Sequence, residues 1–224
     1  MRVLVTAGPT HEPIDAVRYI GNRSSGRMGV AIATAAAEAG HAATLLLGPV
    51  PMSTTELHAV FPPSERRRLR RFRTAEDLRG LLATEGPEAD LIVMAAAVAD
   101  FRPEGLASEG KLERGDALVL RLAPVPDLLA EVASRARPAQ RLVGFALEEP
   151  ARLEERARAK LLRKGLDAIV ANPLETMDAE GVAGQVFLRD GRVLHPPAWP
   201  DRIPKERFAA WLVERLAEVP AKEA

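Results

Sequence analysis

Lysine is scarce in this chain and therefore informative: of 31 basic residues, only Lys111, Lys160, Lys164, Lys205 and Lys222 are lysines. A compact ammonium on a flexible stem can follow a phosphate through a reaction, whereas a planar guanidinium prefers bidentate partners. Lys160 and Lys164 stand four apart, so on a helix both ammonium groups reach a single anion. Ordinary surface charge on an amphipathic helix is the other reading of that pair. A second anion site is offered by Ser24-Ser25-Gly26-Arg27-Met28-Gly29, which opens an alanine-rich stretch. A helix starting there presents unpaired N–H groups and the positive end of its dipole, and glycines admit a phosphate close to the main chain. Plain capping by the serines is compatible with the same residues. Thirdly, Ala95-Ala96-Ala97-Val98-Ala99-Asp100-Phe101 closes an apolar run. The small side chains of Ala96 and Ala97 let a ligand approach the backbone, and Asp100 adds a carboxylate. Core packing and a capping aspartate would explain these residues without any ligand.

Hydrophobic patterning supplies the elements that must position these groups. Arg2 to Thr6 reads as a buried strand, Ser25 to Glu38 as a helix capped by serines and closed by Gly40, and Ala43 to Leu47 as a second strand. Thr74 to Thr84 is amphipathic and precedes the strand Leu91 to Ala96. Asp127 to Ala136 predicts a helix, Leu142 to Ala146 a strand, Glu154 to Lys164 a helix and Ala168 to Val170 a strand. Continuous apolar strands separated by helices imply a parallel sheet covered on both faces, with ligands at the strands' carboxyl ends. Val186 to Leu188, an Asp190-Gly191 turn and Val193 to Leu194 form a hairpin, and Lys205 to Glu218 a closing helix. The fold class is therefore α/β: a Rossmann-like, doubly wound, mainly parallel sheet with helices on both faces and a C-terminal β-hairpin. Residues 1–224 are expected to form a single domain.

Composition excludes several classes. The 31 basic residues are balanced by 31 acidic ones, which implies neither a nucleic-acid stripe nor a polybasic membrane patch. The locally basic run Arg66 to Arg73 reads as a solvated edge strand or loop. Without cysteine there is no disulfide or thiolate chemistry. His11, His41, His58 and His195 show no metal-ligand spacing, so no protein metal site is expected. No leader or membrane-spanning run is evident, and a cytoplasmic location is expected. A nicotinamide or flavin oxidoreductase of the same architecture would need G-x-G-x-x-G directly after the first strand and an acid ending the second. This chain has Thr6-Ala7-Gly8-Pro9 and Leu47-Gly48-Pro49-Val50 there. A non-catalytic nucleotide-binding domain would explain the fold but not the long polar loop that follows the first strand.

That loop carries a specific pattern. Thr6, Gly8, Pro9, Thr10, Glu12, Pro13, Asp15, Arg18, Asn22, Ser24, Ser25, Gly26 and Gly29 together resemble the signature of the phosphopantothenoylcysteine synthetase family. The Ala95 to Phe101 run resembles that family's Ala-Ala-Ala-Val-(Ala/Ser)-Asp-(Phe/Tyr) motif, which lines the phosphopantothenate and nucleotide sites. Ala157-Arg158-Ala159-Lys160 through Lys164, with Asp167 to Asn172, looks like its nucleotide-binding helix and following strand. Lys111 corresponds to the first lysine of a flexible Lys-x-Lys-Lys loop. The resemblance extends over approximately Arg2 to Arg192.

What it implies is a ligase of coenzyme A biosynthesis that uses CTP, with Mg2+ borne on the triphosphate, to join cysteine to 4′-phosphopantothenate through an acyl-cytidylate. Such chemistry needs positioning and charge neutralisation rather than a protein nucleophile. Asn22 is expected to hold the activated carbonyl and Lys111 to assist. The resemblance implies that Gly8, Ser24, Ser25, Gly26, Asp100, Lys111, Pro126, Asp127, Phe145, Lys160, Lys164 and Asn172 contact the nucleotide. It likewise implies that Ala96, Ala97 and Asp100 line the phosphopantothenate site, with Arg18 reaching the substrate phosphate of a neighbouring subunit in a homodimer. A local ion pair with Glu12 or Asp15 is the alternative for Arg18. Departures occur at Lys111-Leu112-Glu113-Arg114, which replaces the three-lysine loop, at Met177 to Gly184, which lacks a Phe-x-Ser-Asp-x-Asn stretch, and at Phe145-Ala146-Leu147-Glu148-Glu149. Many family members carry a flavin-dependent decarboxylase fused before the synthetase; no such fused domain is expected in residues 1–224. The resemblance therefore implies that decarboxylation comes either from a separate flavin-dependent phosphopantothenoylcysteine decarboxylase or from a segment outside this sequence.

Overall fold

In the computed structural model, which describes residues 1–105, 110–113, 115, 117–177, 179 and 181–219, strand and helix alternate as the patterning predicts. The succession is β1 (Arg2–Ala7), α1 (Arg27–Glu38), β2 (Ala42–Leu47), α2 (Thr54–Val60), β3 (Arg67–Arg71), α3 (Ala75–Glu85) and β4 (Leu91–Met94). It continues through α4 (Leu128–Arg135), β5 (Arg141–Glu148), α5 (Leu153–Arg163), β6 (Ala168–Pro173), β7 (Gln185–Leu188), β8 (Val193–Leu194) and α6 (Lys205–Glu218). These eight strands form one sheet in the order β8-β7-β6-β5-β4-β1-β2-β3. From β3 to β6 every pairing is parallel, and β7 and β8 are antiparallel additions.

Alternating side chains distribute to two cores, as the two-residue period of a strand requires. Val3, Val5 and Ala7 pack with α1, α2 and α6, while Leu4, Ile92 and Ile169 pack with α3, α4 and α5. The chain leaves β1 for β2 and β3 on one side, then crosses to β4 on the other. Such a reversal opens a crevice at the carboxyl ends of the strands.

Three expectations are corrected. First, α1 begins at Arg27, not Ser25. Its N-cap is Gly26 in a left-handed conformation, φ 69°, and no side chain caps it. Gly29, one turn in, lies so close to β1 that a Cβ would stand 2.5 Å from that of Ala7. Secondly, the strand expected to reach Ala96 ends at Met94, because the chain turns out of the sheet to line the crevice. Thirdly, the polar loop after β1 contains an antiparallel hairpin, His11–Pro13 with Tyr19–Gly21, with the His11 and Tyr19 rings stacked at 3.6 Å. A second hairpin, Phe101–Pro103 with Leu122–Pro124, packs beside it. The basic run is edge strand β3, whose Arg68 and Arg70 share Glu85. Charged side chains on an exposed edge oppose strand addition.

Candidate active site

A cleft of about 720 Å³ lies beyond the carboxyl ends of β4, β5 and β6, with the start of α1 on its floor. Asn22, Ser24, Ser25, Gly26, Ala96, Ala97, Asp100, Pro126, Asp127, Phe145, Lys160, Lys164 and Asn172 all line it. Residues drawn from six separate stretches of sequence thus share one concavity.

The floor has the chemistry to receive an anion. Since no side chain caps α1, its first N–H groups remain open to a ligand, and the helix dipole adds positive potential there. Ser24 is occupied only weakly, its Oγ accepting from Gly26 N at 3.4 Å. Gly26 has no room for a side chain: a Cβ would meet Val50 Cγ1 at 2.7 Å and the Gly8 nitrogen at 3.3 Å.

On the wall formed by α5, the two lysines are not equivalent. Lys160 Nζ donates to the Phe145 carbonyl at 2.6 Å, whereas Lys164 Nζ meets the Asp127 carboxylate at 2.8 Å. Burial, and then the neighbouring Lys164 charge, pull Lys160 below the usual lysine pKa. Burial pushes Asp127 upward, but the Lys164 hydrogen bond and the Ala130 N–H outweigh it and keep the carboxyl below its usual range. Asp127 also caps α4 through that same Ala130 N–H.

Opposite stands the Ala95 to Asp100 segment, held in place by two buried threonines of the signature loop. The Thr6 hydroxyl accepts from Ala96 N at 3.1 Å and the Thr10 hydroxyl from Ala99 N at 3.0 Å. Asn22 Nδ2 donates to the Val98 carbonyl at 2.9 Å. That bond fixes the amide's orientation and leaves its second N–H for a ligand.

Three expected residues are not brought into the cleft. Gly8 lies behind it, φ 81°, backing Gly26 and accepting from Ala97 N at 2.9 Å. Arg18 points to Asp15, with Nε at 2.9 Å from Oδ2, and donates to the Leu112 carbonyl at 2.9 Å. The local ion pair is therefore made within the chain, with Asp15 and not with Glu12, which accepts from Ala75 N. Lys111 is exposed beside that pair and outside the cleft lining. Arg114, Asp178, Glu180 and Lys222 lie outside the described residues.

Sequence reasoning missed Lys205, at the start of α6, which also lines the cleft and donates to the Ala179 carbonyl at 2.5 Å. The signal was present, since Lys205 is one of the few lysines, but no motif placed α6 near the site. It also missed that Asn172 Oδ1 is buried without a hydrogen-bond partner.

The family model described as DNA/pantothenate metabolism flavoprotein C-terminal domain matches residues 1–219. The Coenzyme A biosynthesis bifunctional protein CoaBC of Escherichia coli (strain K12) is 37% identical over 203 residues, covering 88% of this chain and 48% of that protein. A cysteine/cysteine sulfinic acid decarboxylase from an unknown prokaryotic organism is 43% identical over 175 residues, 78% of this chain and 46% of its own. The chain thus spans about half the length of these curated relatives. The crystal structure of the C-terminal domain of a CoaBC protein superposes with a TM-score of 0.76 at 30% identity, covering 97% of this chain and 94% of that one.

Proposed function

The chain belongs to the family of DNA/pantothenate metabolism flavoprotein C-terminal domains, and from that premise we propose that it is a phosphopantothenate–cysteine ligase of coenzyme A biosynthesis. The observation that carries the reading is the convergence of Asn22, Asp100, Lys160 and Lys164 on one cleft with an uncapped helix start at its floor. In the reaction, a carboxylate oxygen of 4′-phosphopantothenate attacks the α-phosphorus of CTP and pyrophosphate leaves. The cysteine amine then attacks the acyl-cytidylate carbonyl, losing a proton as CMP departs. Both steps ask the protein to hold anions together and to stabilise oxygen charge, which is what fixed donors do well.

The opening of α1 and the two α5 lysines would hold phosphates. Magnesium would enter on the triphosphate, an oxygen-rich ligand that suits it and that a cleft lined by Asp100 and a lysine-paired Asp127 does not replace. The second N–H of Asn22 would bind the acyl oxygen. Asp100, exposed at the cleft rim, would face the pantothenate side with Ala96 and Ala97. A homodimer is part of the reading, because Val17, Tyr19, Phe101 and Leu122 are large apolar residues left exposed on the two adjacent hairpins. A decarboxylase acting on the product is the expected partner, in keeping with the relative named bifunctional.

The test is to incubate the chain with phosphopantothenate, cysteine and magnesium and to supply CTP or ATP. Pyrophosphate release with amide formation, much faster on CTP, is the expected result. Equal rates on both nucleotides remove the CTP assignment, and no amide with either removes the ligase reading.

A further inference from the structure

Asp15 is buried at the tip of the first hairpin although it carries a charge. A buried carboxylate persists only when donors surround it, and here they come from two distant parts of the chain. One oxygen accepts from Val17 N at 2.8 Å and Arg18 N at 2.7 Å. The other accepts from the Arg18 guanidinium and, at 3.0 Å, from Leu112 N. The Arg18 hydrogen bond holds the carboxyl far below its usual range, against the effect of burial.

The local bonds would suffice to shape the turn. The remaining ones do something else. Leu112 is gripped twice, its N–H by Asp15 and its carbonyl by Arg18, and on the other side the Gly110 carbonyl accepts from Ala16 N at 3.4 Å. The residue between these anchors is Lys111, whose side chain is exposed. A long, flexible cation is thus carried on backbone fixed at both neighbours.

We propose that Asp15 is a positioning residue for Lys111, acting with Arg18 to fix the Gly110–Leu112 backbone so that the lysine, which lies outside the cleft lining, is held at one place from which its flexible stem is drawn to the reacting phosphates when they bind. The inference rests on the ligase reading given above. It makes Arg18 part of the same device: whatever else this arginine contacts, loosening it also loosens the lysine segment.

Asp15→Asn keeps the size of the side chain but turns an N–H group toward either Leu112 or the local amides, so one set of bonds fails. In the ligase assay with the full chain, Asp15→Asn is expected to lower kcat roughly 10- to 100-fold, the order produced by misplacing a reacting group by about 1 Å. Lys111→Ala should fall comparably, and Asp15→Asn with Lys111→Ala should fall no further than Lys111→Ala alone. Independent losses that multiply in the double variant overturn the proposal and leave Asp15 a turn residue. Trypsin should cut after Lys111 faster in folded Asp15→Asn than in wild type, which needs no activity to be read. Should Asp15→Asn fail to fold, amide exchange on the wild-type chain decides: slow exchange at Leu112 beside fast exchange at Glu113 supports the clamp, and equal exchange overturns it. A wild-type chain that makes no amide fails the ligase reading instead, a result separable from an active wild type whose double variant is multiplicative.

Discussion

A side chain on Gly184 would stand 2.1 Å from the amide oxygen of Asn172. The two residues lie on either side of the β6–β7 connection, and the same oxygen is buried with no donor. An unsatisfied buried acceptor costs about 1–3 kcal/mol, a cost that an N–H on a cleft ligand would offset. Gly184→Ala is therefore expected to push Asn172 aside and weaken CTP binding several-fold while the chain stays folded. Calorimetric titration of CTP checks this, and unchanged affinity would return Asn172 to the role of a strand end.

The asymmetry of the α5 lysines makes a second prediction. To meet a phosphate, Lys164 must give up part of its contact with Asp127, whereas Lys160 gives up only a carbonyl. A charge-assisted phosphate contact contributes about 1.5–3 kcal/mol. Lys160→Ala should lose most of that range in CTP affinity and Lys164→Ala distinctly less. Equal losses from the two variants would show that the Asp127 pair imposes no cost.

The parallel core was legible because β1, β2, β4 and β6 are continuous apolar runs that only a doubly covered sheet can bury. Helices with sharp stops were legible too, as Lys205–Glu218 shows. Helix α2 was not anticipated although its start is written as a capping box, Ser53 with Glu56; only Leu57 of the helix proper is buried, so no apolar stripe announced it. The serines before α1 read as caps because residue type alone cannot reveal that Gly26 takes the cap position at φ 69°. Among the site residues, those on strand ends and on α5 could be placed by topology. Arg18 and Lys111 could not, because their positions depend on Asp15 joining segments 97 residues apart.

A stability prediction concerns the threonine that shapes the cleft wall. Thr10 is fully buried and its hydroxyl receives the Ala99 N–H. Thr10→Val preserves shape but leaves that N–H unpaired, at a cost of about 1–3 kcal/mol. Thermal unfolding should shift down by roughly 2–4 °C for each kcal/mol lost in a chain of this size. An unaltered Tm would mean that Ala99 finds water in place of Thr10.

The pH dependence of nucleotide binding follows from Lys160. Its pKa in the folded chain lies below the ordinary 10.5, because of burial first and Lys164 second. A bound triphosphate favours the charged ammonium, so above that lowered pKa binding must take up a proton. Affinity for CTP is accordingly expected to be full below it and to fall as pH rises through it, earlier than an ordinary lysine would dictate. Lys160→Arg should carry the fall to higher pH. An unchanged profile in that variant would assign the titration to another group.

The last prediction tests the reaction at one side chain. Asn22 spends one N–H on the Val98 carbonyl at 2.9 Å, which ties the amide to the Ala95 to Asp100 wall of the cleft. Asn22→Asp keeps the volume, removes both donors, sets an anion beside the Val98 oxygen and adds negative charge next to two anionic reactants. Loss of one donor to a developing oxyanion typically lowers the rate by about 10²–10³. The fold should survive, because Asn22 is exposed and outside the sheet, and CTP binding should survive because the phosphate contacts we propose are on α1 and α5. The expected outcome is a folded, CTP-binding variant that fails to form the amide, with any acyl-cytidylate accumulating or hydrolysing in a rapid-quench time course. A near-normal yield of phosphopantothenoylcysteine from Asn22→Asp would reduce Asn22 to a tether for Val98 and leave the acyl oxygen to the backbone amides of the Ala95 to Ala99 segment.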